Sequence, residues 1–289
     1  MRDRVPVFLG SCVMLAVLTL GACQPASVQR RGVPKASAAS AEGQLGALRG
    51  SWPYRPGAQQ SFYVFEQRAV LTSASDTVSR IDSVSSRTEV DFAFSAAGKT
   101  VTGMVTAFRV QGQATAAPRG LVLPFHFSGM FSGPGGQLLL IAPAAAACVT
   151  PSLPIVQSLR DLWFQTPDTL RLGTAWADSA SYSSCRDGIP FGIVSRRQFH
   201  VSAVTEREGH VFLTLARTST TAVEGEGTQS GEPVSLAGSG HGKVTYLLDV
   251  EGGKIVWARG SNTLEVTLRN KLRTQLVRQV GELQVDGSP

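Results

Sequence analysis

The sequence predicts a mostly β fold: one or more antiparallel, curved sheets, half-barrel or sandwich-like, with one short connecting helix. Three observations predict it. Apolar residues recur with period two along most of the chain beyond residue 60, as in strands that bury one face. Glycine, serine and aspartate punctuate these runs, as antiparallel hairpins require. A single stretch, residues 153–163, changes to helical spacing.

Taken in order, the chain begins with Met1-Arg2-Asp3-Arg4 and a charge-free, mostly apolar run over residues 5–20. That run is shorter than the roughly 20 residues needed to cross a bilayer comfortably, and it has the layout of a secretory signal. It closes on Leu20-Gly21-Ala22-Cys23, with small residues before the cysteine. These four residues resemble a bacterial lipobox. The resemblance implies lipidation of Cys23, removal of residues 1–22 and a mature chain starting at the cysteine. A plain signal peptide cut near Ala22, or an uncleaved anchor helix, is the alternative. Gln24 stands where an aspartate would favour inner-membrane retention in the Gram-negative scheme. The expected location is therefore the cell envelope, at the outer membrane facing the periplasm or at the cell surface.

Residues 23–50 are rich in Ala, Ser, Gly, Gln and Pro and hold no aromatic residue. Such a composition cannot bury enough apolar surface to fold. It reads as a tether with a reach on the order of 30 Å. Folding is expected from Trp52-Pro53-Tyr54 onward, so that residues 51–289 form a β-rich ectodomain.

Strands are predicted over residues 61–71, 88–94, 100–110, 121–131 and 137–141, the last two around the turn Gly133-Pro134-Gly135-Gly136. The first carries apolar residues on both faces: Phe62 and Val64 on one, Tyr63 and Phe65 on the other. In residues 153–163, Ile155, Val156, Leu159, Leu162 and Trp163 share one helical face, opposite Gln157, Ser158, Arg160 and Asp161. Residues 166–176 form a connector. Hairpins are predicted at 198–204 with 210–218, turning at Glu206-Arg207-Glu208-Gly209, and at 243–250 with 254–259, turning at Glu251-Gly252-Gly253. Residues 261–285 alternate like strands, although Leu272, Leu276 and Val280 also suit a terminal helix. Both 125–140 and 244–257 read as strand, Gly-Gly turn, strand. The halves 51–150 and 165–289 are thus either copies of a duplicated β-unit or simply two sets of similar hairpins.

Of four cysteines, the lipobox resemblance implies that Cys12 leaves with the signal and that Cys23 would carry lipid. Cys148 and Cys185 then remain as the two thiols of an oxidising compartment, and a disulfide between them is expected; two separate buried thiols are the alternative. Neither has a CxxC or CxxH neighbour, so no metal site is expected there.

The segment Thr166-Pro167-Asp168-Thr169-Leu170-Arg171-Leu172-Gly173-Thr174-Ala175-Trp176 resembles the "P…-V-x-x-G-D-x-W" stretch of an uncharacterised group of bacterial envelope lipoproteins, the DUF6263-like group. There too it precedes an "R-x-y-x-V" strand, here Arg197-Gln198-Phe199-His200-Val201. Thr174 stands where that group's pattern has aspartate. The resemblance implies a β architecture and no activity, and a core role for Trp176 is expected.

No catalytic residue is assigned. His126, His200, His210 and His241 form no HxH, HExxH or two-His-carboxylate pattern. Gly238-Ser239-Gly240-His241-Gly242-Lys243 approaches a phosphate-binding loop but has Ala237 in place of the first glycine and Val244 in place of Ser or Thr; a flexible β-turn is expected there. Gly-x-Ser-x-Gly and paired Asp-Thr/Ser-Gly loops are absent. The formal charge of +6 falls to +5 when Arg2, Asp3 and Arg4 are removed, and no basic stripe with interleaved aromatics points to nucleic acid. No cofactor is implied. The function expected is an envelope lipoprotein that binds or scaffolds, its partners being the membrane, through the anchor, and a hydrophobic ligand, lipid or envelope protein. A curved sheet with a covering helix resembles the lipoprotein-carrier half-barrels in this respect. An envelope hydrolase with a spatially assembled site, or a purely structural component, is the alternative.

Overall fold

The computed structural model describes residues 50–54, 61–75, 79–94, 100–112, 120–132, 137–140, 148–150, 152–162, 164–186, 188–229, 231–271 and 273–287. Cys23, the tether, Ile141, Trp163 and Leu272 lie outside the described residues.

Eleven strands form one antiparallel sheet: β1 (Ser61–Ser75), β2 (Ser79–Phe94), β3 (Thr100–Gly112), β4 (Phe125–Ser132), β5 (Gln137–Leu140), β6 (Ala175–Arg186), β7 (Ile189–Arg207), β8 (His210–Gln229), β9 (Glu232–Asp249), β10 (Lys254–Arg269) and β11 (Thr274–Gly287). The spatial order is β5-β4-β3-β2-β1-β11-β10-β9-β8-β7-β6. Each strand pairs with its neighbour in sequence except β5 with β6. The first strand pairs with the last, from Tyr63 opposite Gly287 to Ser75 opposite Gln275. The edges β5 and β6 approach one another without pairing, so the sheet is curved but unclosed.

The strands follow the side-chain alternation of the sequence. Along β7, Ile189, Phe191, Ile193, Ser195, Arg197, Phe199 and Val201 are buried, while Pro190, Gly192, Val194, Arg196, Gln198 and His200 are exposed. A strand rises about 3.3 Å per residue with alternate side chains on opposite faces, so one stripe fills the concave interior and the other faces outward. Lys243, Arg259 and Glu282 border a shallow outer depression on β9, β10 and β11. The outward face is thus charged and polar there. The β7–β8 turn is the two-residue loop Glu208-Gly209, both with positive φ (54° and 80°), the backbone a tight right-twisted hairpin needs. At β9–β10 the Asp249 carboxylate accepts the Gly252 N–H at 2.9 Å, which closes that turn.

The helical segment is α1 (Leu153–Ser158), continued by a 3-10 turn, Leu159–Leu162. It lies on the concave side. Ile155, Leu159 and Leu162 belong to one buried cluster with Tyr63 and Phe65 of β1, Phe199 of β7, Leu213 and Leu215 of β8, and Tyr246 and Leu248 of β9. The segment before β6 covers this end of the interior. Trp52 bridges Leu170 through backbone hydrogen bonds of 2.8 and 2.7 Å, and Trp176 stacks on Phe199 at 5.1 Å. Cys148 and Cys185 are joined, with their Cα atoms 5.0 Å apart. The bond fastens β6 to the segment that follows β5, at the unpaired seam.

Several expectations are corrected. The glycine-rich run 238–243 is not a turn but the middle of β9. Its glycines continue the inward stripe Val234, Leu236, Gly238, Gly240, Gly242, Val244, Tyr246, Leu248, and side chains there have no room: a Cβ on Gly238 would strike the Glu265 carbonyl of β10, and one on Gly240 the Thr263 carbonyl. The C-terminal segment is β11 and not a helix; Leu276 and Val280 take its outward positions, each 44% exposed, because the buried stripe is Val277, Gln279, Gly281, Leu283, Val285. The strand expected from Leu121 starts at Phe125, after the cis peptide Leu123–Pro124. The connector ends earlier than expected, since Ala175 and Trp176 already belong to β6. β8 and β9 run ten or more residues beyond their expected hairpin limits, because their polar far ends pair along their whole length.

Candidate functional site

The interior has two apolar regions with a polar belt between them. The larger is the cluster around α1; the smaller comprises Phe191, Ile193, Val223, Leu236 and Val266, with Tyr182, Leu264 and Leu268 packed against it. The belt is built from charges that interrupt otherwise apolar inward stripes. On β6 the stripe is Trp176, Asp178, Ala180, Tyr182; on β8 it is Leu213, Leu215, Arg217, Ser219, Thr221, Val223.

Asp178 and Arg197 face each other across β6 and β7. Arg197 donates from Nε and Nη2 to the two carboxylate oxygens, each at 2.6 Å, and the side chains are 2% and 4% exposed. The Arg197 Nη1 also donates to the Arg160 carbonyl at 3.3 Å, which ties the 3-10 turn to the sheet. Arg217 pairs with Asp161 of the same turn. Arg160 lies over the Tyr182 ring at 4.1 Å and donates to the Gln157 carbonyl at 2.9 Å. Two buried cations thus meet two carboxylates, and Arg160 adds a third cation with no carboxylate partner among the described residues.

Burial would raise the Asp161 carboxyl, but the charges of Arg217 and Arg160 and the Arg217 hydrogen bond hold it below the usual carboxylate range. At Asp178 the same loss of solvent outweighs Arg197, and the carboxyl is pushed up. Burial likewise pushes the Tyr182 and Tyr246 hydroxyls up. The sign for stability follows. Folded Asp161 binds its proton more weakly than the unfolded chain does, so its contribution is present above the unfolded value of about 3.9 and is lost as pH falls through the lower, folded value. Asp178 acts in the opposite sense. Asp161→Asn is therefore expected to flatten the acid limb of the unfolding free energy between pH 5 and 2. Equilibrium urea unfolding at each pH measures this, and equal slopes for the two proteins would refute it.

A cavity of about 120 Å³ lies at this belt, walled by Gln157, Arg160 and Asp161 from the helical segment and by strands on both sides of the seam. It exists because the inward positions around it are small: Ser86, Ser184, Ser195, Ser219 and Thr221 line it, and Gly240 and Gly242 share the same interior. Two buried atoms of its wall, Arg217 Nε and Gln157 Oε1, have no hydrogen-bond partner among the described residues. Leaving such groups unpaired costs about 1–3 kcal/mol each. Together they offer a polar anchoring point beside apolar surface, the usual composition of a small-molecule pocket.

The residues singled out in the sequence fall elsewhere, except His241, which is exposed on β9 and borders the cavity. His126, His200, His210 and His241 are all exposed, and His210 stands 3.1 Å from Glu251 on the outer surface. Among the described residues no group of three or more His, Cys, Asp or Glu could hold a metal ion. The belt itself was missed. Its signal was an arginine or aspartate at the parity of a buried stripe.

No family model matches the chain, and no curated protein matches it. Among solved structures it is similar to Neisserial surface protein A at 7% identity, covering 79% of this chain and 98% of that one with a TM-score of 0.20. It is also similar to a DUF1329 family protein from Desulfovibrio piger, at 7% identity over 75% and 83% of the two chains and a TM-score of 0.15. OprB of Pseudomonas putida aligns at 6% identity over 80% and 94%, with a TM-score of 0.25.

Proposed function

We propose that this protein is a membrane-tethered binding protein of the bacterial envelope that holds a small, partly apolar ligand inside its curved sheet. The observation that carries the reading is the cavity at the polar belt, with orphaned hydrogen-bonding atoms on one side and the Phe191–Leu264 apolar region on the other. A chain optimised only for stability would fill such a space with side chains, since interiors pack at crystal-like density. Here small inward residues from several strands keep it open.

The location rests on the lipobox-like Leu20-Gly21-Ala22-Cys23 and on the tether that follows. With Cys23 lipidated, the sheet works within the tether's length of a membrane, and the charged outward patch at Lys243, Arg259 and Glu282 suits an aqueous compartment beside the bilayer. The charge-free run before the cysteine supports export, and the Cys148–Cys185 bond suits an oxidising compartment. Cys23→Ser is expected to release the protein into the soluble fraction or to leave its signal uncleaved, as read by fractionation and intact mass; membrane attachment and mass shift unchanged from wild type would refute the anchor.

The binding reading is tested on the full-length protein extracted from its own membranes. Organic extraction followed by mass spectrometry is expected to find one small compound per chain, enriched over a mock purification. A protein that never carries such a compound would sink the reading.

A further inference from the structure

We infer that the ligand of this cavity is a carboxylic acid, bound as the carboxylate with its apolar body against Tyr182, Phe191, Ile193 and Leu264; the inference rests on the binding role proposed above. Three features of the wall select the charge. Arg217, 6% exposed, spends its Nη1 on Asp161 and leaves the Nε–H with no partner among the described residues. Arg160, stacked on Tyr182, borders the same space without a carboxylate partner among them. Among the described residues, Arg160, Arg197 and Arg217 against Asp161 and Asp178 leave one positive charge uncompensated in a largely buried region. A monoanion restores neutrality, and it does so where Coulomb attraction is least screened.

Hydrogen bonding agrees with charge. A carboxylate accepts from several donors at once, and a guanidinium edge is its natural complement. The Gln157 amide, also on the wall and with its oxygen unpartnered, can turn its NH2 onto the same group. An alcohol head could occupy the space but would leave the charge standing. Size sets the other limit. At about 120 Å³ the cavity compares with the roughly 150 Å³ apolar cavity that admits benzene. It accommodates an aryl or short branched acid, or the head and first carbons of a longer one.

The test is isothermal titration of the full-length protein in nanodiscs at pH 7 with benzoate and with benzyl alcohol, empty nanodiscs serving as the blank. Benzoate is expected to bind at least tenfold more tightly than the alcohol. Arg160→Gln, which breaks no ion pair among the described residues, is expected to weaken benzoate about tenfold and leave the alcohol unchanged. Equal or tighter binding of benzyl alcohol overturns the acid assignment while the binding role stands. Equal benzoate affinity in the Arg160→Gln variant overturns the assignment too. If benzoate does not bind, the assignment falls, and extraction of the same preparation shows separately whether the binding role falls with it.

Discussion

Asp178→Ala is expected to lower the unfolding free energy by about 3–5 kcal/mol, because it leaves the Arg197 guanidinium buried without its counter-ion. Both side chains are almost fully out of solvent and share two hydrogen bonds of 2.6 Å. The double replacement Asp178→Leu with Arg197→Met removes both charges and is expected to recover most of the loss, since an apolar pair of similar volume needs no compensation. Urea unfolding of the single and double variants, followed by the far-ultraviolet strand signal, reads the difference. A single-variant loss under about 1 kcal/mol would mean that Arg197 is solvated or paired elsewhere, against the belt described above.

The second large effect belongs to the Cys148–Cys185 bond. It closes a loop 37 residues apart in sequence, which carries α1 and the Trp52-bridged segment. The chain-entropy argument puts its contribution at about 3–4 kcal/mol. Its position adds a consequence. Sheet order makes β5 and β6 the free edges, and no ladder of hydrogen bonds joins them. With the bond cut, β6 retains β7 as its only ladder neighbour. Cys148→Ser with Cys185→Ser is expected to lower stability by that amount and to speed amide exchange first in β6, measured by hydrogen exchange with mass spectrometry. Unchanged exchange in β6 would show that the seam holds without the bond.

Much of this fold was legible from residue order. Period-two alternation in residues 61–71, 100–110 and 198–218 placed strands correctly, because each buries one face and side-chain parity is fixed by the pleat. The helical spacing of Ile155, Leu159 and Leu162 located α1. What periodicity could not supply was context for glycine. Gly238, Gly240 and Gly242 look like a loop in isolation, and only the backbone of β10 lying against their α-carbons explains them as strand. Leu272, Leu276 and Val280 share a helical face, yet they also share one parity, and the outward placement of Leu276 and Val280 follows from β11 being held between β1 and β10.

The site was less legible for a related reason. Asp178, Arg197, Asp161 and Arg217 lie far apart in sequence and meet only when β6, β7, β8 and the 3-10 turn converge. Asp178, Arg197 and Arg217 are nonetheless marked locally by a charge at a buried parity, as Arg197 is between Ser195 and Phe199. Charges at such positions are paired or form part of a site, since an isolated buried ion is too costly to keep. The first strand paired with the last is a long-range consequence that no local pattern announces.

The most direct measurement compares wild type with Thr221→Phe by native mass spectrometry of the full-length protein. Thr221 points into the cavity from β8 and lies beside the apolar Val223, so a phenyl ring there fills the space without cutting an ion pair. The wild-type protein is expected to carry one small molecule per chain, and the variant to be bare with the same strand signal in circular dichroism. Equal occupancy of the two proteins, or a bare wild type, would contradict an interior binding site.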